Sequence, residues 1–329
     1  MPHVVVEDLV KTFRIREPHV GRFAGLRNAL TPKHREVHAL NGVSFNLERG
    51  ELVAYVGPNG AGKSTTIKVL SGILVPTSGR CVVGGIVPFR ERRKHVARIG
   101  VVFGQRTQLF WDLQLSESFA LIRAIYRVPL TRYLENLAEL VEQLELGSFL
   151  STPVRQLSLG QRMRGELAAS LLHDPELLFL DEPTIGLDAV SKLGVRRFIR
   201  SLNRARNTTV ILTTHDFDDI EAVCDRVLVV AKGKVLRDGT LDALRKTVSR
   251  ERHLIVDFVD PNTELASFPA QTLKREGSRF TLAFDPEVVS PAALISQIAA
   301  RHAVRDLFVE HPPIEEIVAE LYRQIEARA

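Results

Sequence analysis

Along this chain the spacing of apolar residues changes several times, and the changes divide it into elements. Val4 to Leu9 and Phe45 to Leu47 have the short apolar runs of strands. Between them, residues 17–38 form a long excursion with Pro18, Pro32 and a cluster of basic residues. Within it Phe23, Leu26, Ala29 and Leu30 recur at helical spacing, while Arg22, Arg27, Lys33 and Arg35 supply positive charge. That pattern suits either a short amphipathic basic helix or a solvated loop with one small packing face. From Gly50 onward, apolar runs alternate with helical patterns: Leu52 to Val56, Val101 to Phe103, Leu177 to Leu180, Thr209 to Thr213 and Arg226 to Val230. Such alternation predicts an α/β layer structure with a mainly parallel central sheet.

After Lys246 the texture differs, and a second domain over 247–329 is expected. Leu254 to Val259 and Arg279 to Phe284 suit paired strands, Ser290-Pro291 suits a helix N-cap and first-turn proline, and Asp306 to Glu310 suits a third strand. Ile314, Ile317, Val318, Leu321 and Ile325 then fall on one face of a closing helix. The tail is therefore expected to be a small β-β-α-β-α unit.

Composition narrows this picture only slightly. The 329 residues are 45% hydrophobic, enough for one large and one smaller domain. No apolar run approaches the roughly 18 residues that span a bilayer. The opening MPHVVVEDL lacks the basic start and apolar core of a secretory leader, so a cytosolic chain is expected. Cys81 and Cys224 lie apart from each other and from metal-ligand spacings, as expected of two small buried side chains. The 44 basic against 39 acidic residues make the chain mildly basic, which suits phosphate binding, nucleic acid or proximity to anionic lipid equally.

The chemistry is concentrated in two segments. Gly57 to Ser64 reads GPNGAGKS, a phosphate-binding loop, and it follows a predicted strand and precedes a helical pattern over Thr65 to Leu70. Gly57, Gly60 and Gly62 let the backbone curl so that its N–H groups, including that of Asn59, face phosphate oxygens. Lys63 reaches the β- and γ-phosphates, Ser64 offers a hydroxyl to Mg²⁺, and Thr65 donates to a neighbouring phosphate oxygen. Further on, Leu177 to Leu180 deliver Asp181 and Glu182 to the carboxyl end of a buried strand, the ligand-binding edge of a parallel sheet. There Asp181 is placed to hold Mg²⁺ and Glu182 to polarise a water for attack on the γ-phosphorus.

The remaining motifs resemble the ABC ATPase family, over residues 1 to about 245. Leu157 to Gln161 reads LSLGQ and is similar to the family's LSGGQ signature, with Leu159 where the first glycine stands. The resemblance implies that Ser158, Gly160 and Gln161 contact ATP from a second copy, and the helix Arg162 to Leu172 adds its N-terminal dipole. It also implies a Q-loop role for Gln105, touching Mg²⁺ or the attacking water, and a switch role for His215, hydrogen-bonding the γ-phosphate and orienting Glu182. Asp188 resembles the D-loop residue at the dimer interface. Phe13 matches the aromatic that stacks on adenine, with a buried core phenylalanine as the alternative.

The fold implied is a P-loop NTPase of ABC ATPase type over 1–246. It comprises a mainly parallel sheet core, an antiparallel β subdomain and a helical subdomain at about 108–172, followed by a small α+β C-terminal domain. ATP and Mg²⁺ are the implied ligands. The partners implied are a second ATPase subunit, head to tail, and integral membrane permease subunits of ABC-2 type, at the cytoplasmic face of the inner membrane. The insertion, His173-Asp-Pro175 and the run from Glu182 to Asp188 are similar to ABC-2-type exporter ATPases. An importer ATPase shares the same ATP chemistry. A non-transport ABC protein acting on nucleic acid or ribosomes would usually carry paired cassettes, coiled coils, zinc motifs or long basic linkers, so no nucleic-acid partner is expected.

Overall fold

The computed structural model describes residues 2–17, 33–104, 106–248, 251–265 and 268–326. In chain order the strands are β1 (Val4–Glu17), β2 (Lys33–Leu47), β3 (Leu52–Val56), β4 (Ser78–Val83), β5 (Ile99–Phe103), β6 (Leu177–Asp181), β7 (Thr209–Thr214), β8 (Arg226–Ala231), β9 (Lys234–Thr240), β10 (Arg252–Phe258), β11 (Gln271–Glu276), β12 (Arg279–Phe284) and β13 (Val304–Glu310). The helices are α1 (Lys63–Leu70), α2 (Arg92–Val96), α3 (Leu115–Tyr126), α4 (Leu130–Gln143), α5 (Leu159–Leu171), α6 (Ala189–Arg206), α7 (Phe217–Val223), α8 (Leu241–Val248), α9 (Pro291–Ala299) and α10 (Ile314–Glu326). These divide into two compact units, Met1–Asp238 and Gly239–Ala329.

In the first unit a six-stranded sheet runs in the order β5-β6-β7-β3-β8-β9. From β5 through β8 every pairing is parallel. Strands β3 and β7 are buried throughout, as is β6 up to its terminal aspartate. A strand covered on both faces must be apolar at consecutive positions rather than at alternate ones, which explains the unbroken runs in the sequence. A second sheet, β2-β1-β4, is antiparallel. Val4, Val6, Leu9, Leu40, Val43 and Phe45 from that sheet pack with Val53, Tyr55, Phe179, Ile211 and Leu228 of the first sheet and with Ile67 and Leu70 of α1. Each such fully buried aliphatic or aromatic side chain contributes about 1.5–3 kcal/mol. Both cysteines are buried, and burial pushes the Cys81 thiol up to about 12.

One expectation is corrected. Residues 33–38 are strand rather than part of a helical or looped excursion, since β2 begins at Lys33 and pairs with β1 as far as Glu17, placing Phe13 opposite Val37 and Arg16 opposite His34. This distal arm carries Arg14, Glu36 and other exposed polar side chains, and an Arg14–Glu36 ion pair of 3.1 Å crosses it. Its apolar side chains are few, with Phe13 and Val37 only half-buried and Ile15 exposed, so the arm carries a weak strand signal. The residues of the proposed helix, Arg22, Phe23, Leu26, Arg27, Ala29 and Leu30, lie outside the described residues.

The second unit is built on an antiparallel sheet ordered β11-β12-β10-β13. The expected pairing of the 254–259 and 279–284 segments is present, with Leu254 opposite Leu282. Leu254, Val256 and Phe258 of β10 and Phe280, Leu282 and Phe284 of β12 pack against Leu294 and Ile298 of α9. That helix starts as expected, with the Ser290 hydroxyl accepting from the Ala293 amide at 3.2 Å and Pro291 in the first turn. Strand β11, exposed along its length, is an addition to the expected β-β-α-β-α order. Ile314, Ile317, Val318 and Leu321 are buried along α10, while the Ile325 side chain lies outside the described residues. Among the described residues no helix is long and apolar enough to cross a membrane.

Candidate functional site

The site forms where β3, β5, β6 and β7 end. After Val56 the chain curls through residues 57–62 and enters α1 directly from Gly62, at φ 103°. A β-carbon at Gly62 would lie 2.6 Å from the Ala39 carbonyl oxygen, so both the dihedral and the close approach require glycine. Gly57 is hemmed in similarly, 2.4 Å from the Val230 carbonyl, whereas Gly60, at φ +83°, faces open space. Lys63 is 6% exposed and its ammonium folds back over the loop, donating to the Gly57 carbonyl at 2.6 Å and the Pro58 carbonyl at 3.3 Å. Burial lowers the Lys63 pKa, and the Glu182 and Asp181 carboxylates partly offset this.

Asp181 ends β6 and sits opposite Thr213 of β7. Its Oδ1 accepts from the Thr213 hydroxyl at 2.5 Å and from the Ser64 hydroxyl at 3.3 Å. Glu182 turns away at φ 56°, a left-handed conformation rare for a side-chain-bearing residue and characteristic of positions held by their surroundings. Its amide donates to the Thr213 carbonyl at 2.9 Å, and its Oε2 meets His215 Nδ1 at 3.2 Å. That contact leaves His215 Nε2 to face elsewhere; the ring is well exposed and Glu182 largely covered. Gly57, Asn59, Ser64, Asp181, Glu182 and His215 line one cleft of about 710 Å³ with Lys68, Ile73, Arg106 and Ile185, four residues that motif reading did not single out. Lys68 and Arg106 are the two that charge alone brings to notice.

The signature residues stand apart from this cleft. Ser158 is the N-cap of α5: its hydroxyl accepts from the Gln161 amide at 3.2 Å, and Gln161 Oε1 accepts from the Ser158 amide at 2.9 Å. The Gln161 side chain is thus engaged in its own helix. A β-carbon at Gly160 would lie 2.5 Å from the Ser191 hydroxyl, so α5 and α6 approach closely here. Asp188 caps α6, accepting from the Ser191 amide and hydroxyl at 2.9 and 2.8 Å, and these bonds lower its pKa. Leu159, the departure from glycine, extends toward Gly186, whose β-carbon would lie 3.0 Å from Leu159 Cδ2. Phe13, on β1, is half-buried with the Lys11 ammonium 5.2 Å from its ring centroid, and it is neither a core residue nor part of the cleft lining. Thr65 is half-buried in the first turn of α1. Gln105 lies outside the described residues.

Hard oxygen donors at Ser64 and Asp181, held within hydrogen-bonding distance of each other, fit Mg²⁺, which takes one or two protein oxygens and leaves its other positions to water and phosphate. No group of three or more His, Cys, Asp or Glu able to cage a metal occurs among the described residues.

Comparison with known proteins bears on the same segments. The sequence model of the family described as ABC transporter matches residues 40–185. The daunorubicin resistance ATP-binding protein DrrA3 of Streptomyces coeruleorubidus is 37% identical over 220 residues, 67% of this chain and 69% of that protein. The chain belongs to the ABC transporter ATP-binding family. As an ABC ATPase it also resembles the methionine import ATP-binding protein MetN of Latilactobacillus sakei, 30% identical over 302 residues that cover 88% of this chain and 87% of the relative. The probable multidrug ABC transporter ATP-binding protein YbhF of Escherichia coli is 36% identical over 216 residues, and there the match covers 66% of this chain but only 37% of the relative. Among solved structures, a dimeric ATP-binding cassette in a post-hydrolysis state bound to ADP and Pi superposes with a TM-score of 0.60 at 26% identity, covering 72% of this chain and 98% of that one.

Proposed function

We propose that this ABC ATPase hydrolyses Mg-ATP in a site shared between two copies and drives export through separate ABC-2-type permease subunits at the cytoplasmic face of the inner membrane. The observation that carries the hydrolytic part is the Glu182–His215 contact at 3.2 Å, on the cleft that also holds Ser64 and Asp181. In this reading the curled loop from Gly57 through Asn59, Gly60 and Gly62, with Thr65, presents donors to the phosphates. Lys63 exchanges its loop carbonyls for β- and γ-phosphate oxygens, and Phe13 stacks on the adenine. Ser64 and Asp181 would hold Mg²⁺, which would neutralise phosphate charge when bound, and Gln105 keeps the Q-loop role that the family resemblance implies. Glu182 takes the proton of the attacking water. His215, with Nδ1 toward Glu182, fixes that carboxylate and turns Nε2 to the γ-phosphate.

One copy is incomplete, because Ser158, Gly160 and Gln161 line a different surface from the cleft. They lie beside Asp188, and together these residues form the face offered to the second copy. ATP would then close the dimer and hydrolysis would release it. Export is supported by the resistance and multidrug names of similar proteins; the match to MetN, which extends into the C-terminal unit, favours import as the second reading. In the full chain, Glu182→Gln is expected to bind ATP with parental affinity, to accumulate as an ATP-dependent dimer in sedimentation, and to release no phosphate. Lys63→Ala is expected to lose nucleotide affinity. Parental turnover in Glu182→Gln would overturn the assignment. Transport by proteoliposomes holding the chain with its permease, read as substrate accumulation or loss, separates export from import.

A further inference from the structure

Glu182 and His215 arrive on different strands, and their loops are fastened to a single buried atom. Two residues after Glu182, the Thr184 hydroxyl donates to Asp219 Oδ2. One residue before His215, the Thr214 hydroxyl donates to the same oxygen at 3.1 Å. The other carboxylate oxygen, Oδ1, accepts from Arg196 Nε at 2.6 Å. Asp219 is 1% exposed, and Thr184 and Thr214 are buried as well. Arg196 also reaches Asp216 Oδ1 at 3.3 Å, and Lys192 pairs with Asp216 Oδ2. Burial works against the Asp216 charge, but the Lys192 and Arg196 cations outweigh it and hold that carboxyl below its ordinary value. The Asp216 amide donates to the Thr214 hydroxyl oxygen at 3.0 Å, so His215 is flanked on both sides by this network. None of Thr184, Thr214, Arg196 or Asp219 lines the cleft.

We propose that Asp219 is a positioning residue for hydrolysis, setting the separation of Glu182 and His215 through its two threonine arms. The inference rests on the roles given above to Glu182 and His215. Apolar packing would hold the two loops together without fixing their spacing. Two hydroxyls converging on one carboxylate oxygen are directional, and the largely covered Arg196 fixes the carboxylate in turn through its other oxygen. Glu182 has an added need for restraint, because its left-handed backbone persists only where neighbours enforce it.

The test uses the full chain with Thr184→Val and Thr214→Val, which remove a hydroxyl at nearly constant volume. Thr184→Ser and Thr214→Ser restore it, and Asp219→Asn provides a further variant. Each valine variant is expected to lower kcat about tenfold or more, since a displacement near 1 Å at a reacting group costs up to about a hundredfold. KM and the affinity for Mg-ATP are expected to stay parental, and the serine variants to recover most of the rate. Both arms set one distance, so the double valine variant should fall little below the worse single one. Parental kcat in both valine variants would overturn the proposal. So would a fall in kcat that comes with an equal loss of ATP affinity and of Tm, the pattern of a purely structural ion pair. Glu182→Gln run alongside separates the two levels: if it turns over normally the shared hydrolytic reading has failed, and if it is inactive while the valine variants are not, only the positioning role has failed.

Discussion

Gly104→Ala should damage this protein more than the size of a methyl group suggests. Gly104 follows β5, and its amide donates to the Asp181 carbonyl at 2.8 Å, which draws the ends of β5 and β6 together at the acidic corner of the cleft. A β-carbon at position 104 would lie 2.3 Å from the Glu182 carbonyl oxygen, and 3.1 Å from both the Asp181 carbonyl oxygen and the Glu182 carbonyl carbon. Carbon and oxygen come to rest at about 3.3–3.6 Å, so something must yield by roughly 1 Å. Every atom in the way is backbone, and no rotamer change can relieve the contact. Overpacking of this kind costs about 1–3 kcal/mol. For a unit of this size that is a fall in Tm of about 2–12 °C. The larger effect falls on the rate, because the atom displaced belongs to the residue proposed as base, and about 1 Å there costs up to a hundredfold in kcat. Phosphate release against ATP concentration, with a thermal melt of each variant, measures both. Gly147→Ala is the control, since its β-carbon meets nothing within 4 Å. A Gly104→Ala chain that melts below the parent yet keeps its kcat would refute the link between this contact and catalysis.

Gly194 lies within α6 with open space at its β-carbon, so Gly194→Ala should stabilise the chain by about 0.5–1 kcal/mol through lost unfolded-state freedom, read as a higher urea midpoint at unchanged m. Ser158→Ala removes the α5 cap and should cost about 1 kcal/mol in urea unfolding, while ATP-driven dimerisation in the Glu182→Gln background is lost outright, as sedimentation would show. Stability should also fall on mild acidification. His95 donates Nε2–H to the Leu70 carbonyl at 2.7 Å and His173 to the Ile99 carbonyl at 2.9 Å, and burial lowers both pKa values below the ordinary 6.5. The unfolded chain then binds more protons than the folded one as pH drops through 6.5 toward the folded values. The stability lost in that window is at most about 1.4 kcal/mol per pH unit per histidine. Urea unfolding from pH 7.5 to 5.5 tests this, and a flat profile would contradict it.

What could be read from the sequence follows from how each element is buried. Strands β3, β6, β7 and β8 are covered on both faces, so each has consecutive apolar residues at its centre, β7 between buried threonines. The start of α9 was legible because Ser290 and Pro291 each meet a local need of the backbone there. Strand β11 and the distal arm of β1 and β2 were not, since β11 is exposed at every position, the arm is mostly exposed, and a strand held chiefly by its ladder leaves a weak hydrophobic signature. The site divides in the same way. The residues proposed to touch ATP lie in short contiguous motifs, because a helix N-terminus and a strand end each bring several donors or acceptors to one place. Those proposed to set their spacing do not. Thr184, Arg196, Thr214 and Asp219 are ordinary residues in ordinary segments, and a buried aspartate in α7 looks in sequence like one more acid on a solvated helix. They meet only after α6 and α7 have packed together, so the contacts of Asp219 become visible only in the folded chain. Reading motifs alone therefore finds the groups proposed to bind and react, and leaves unread the groups proposed to hold them in place.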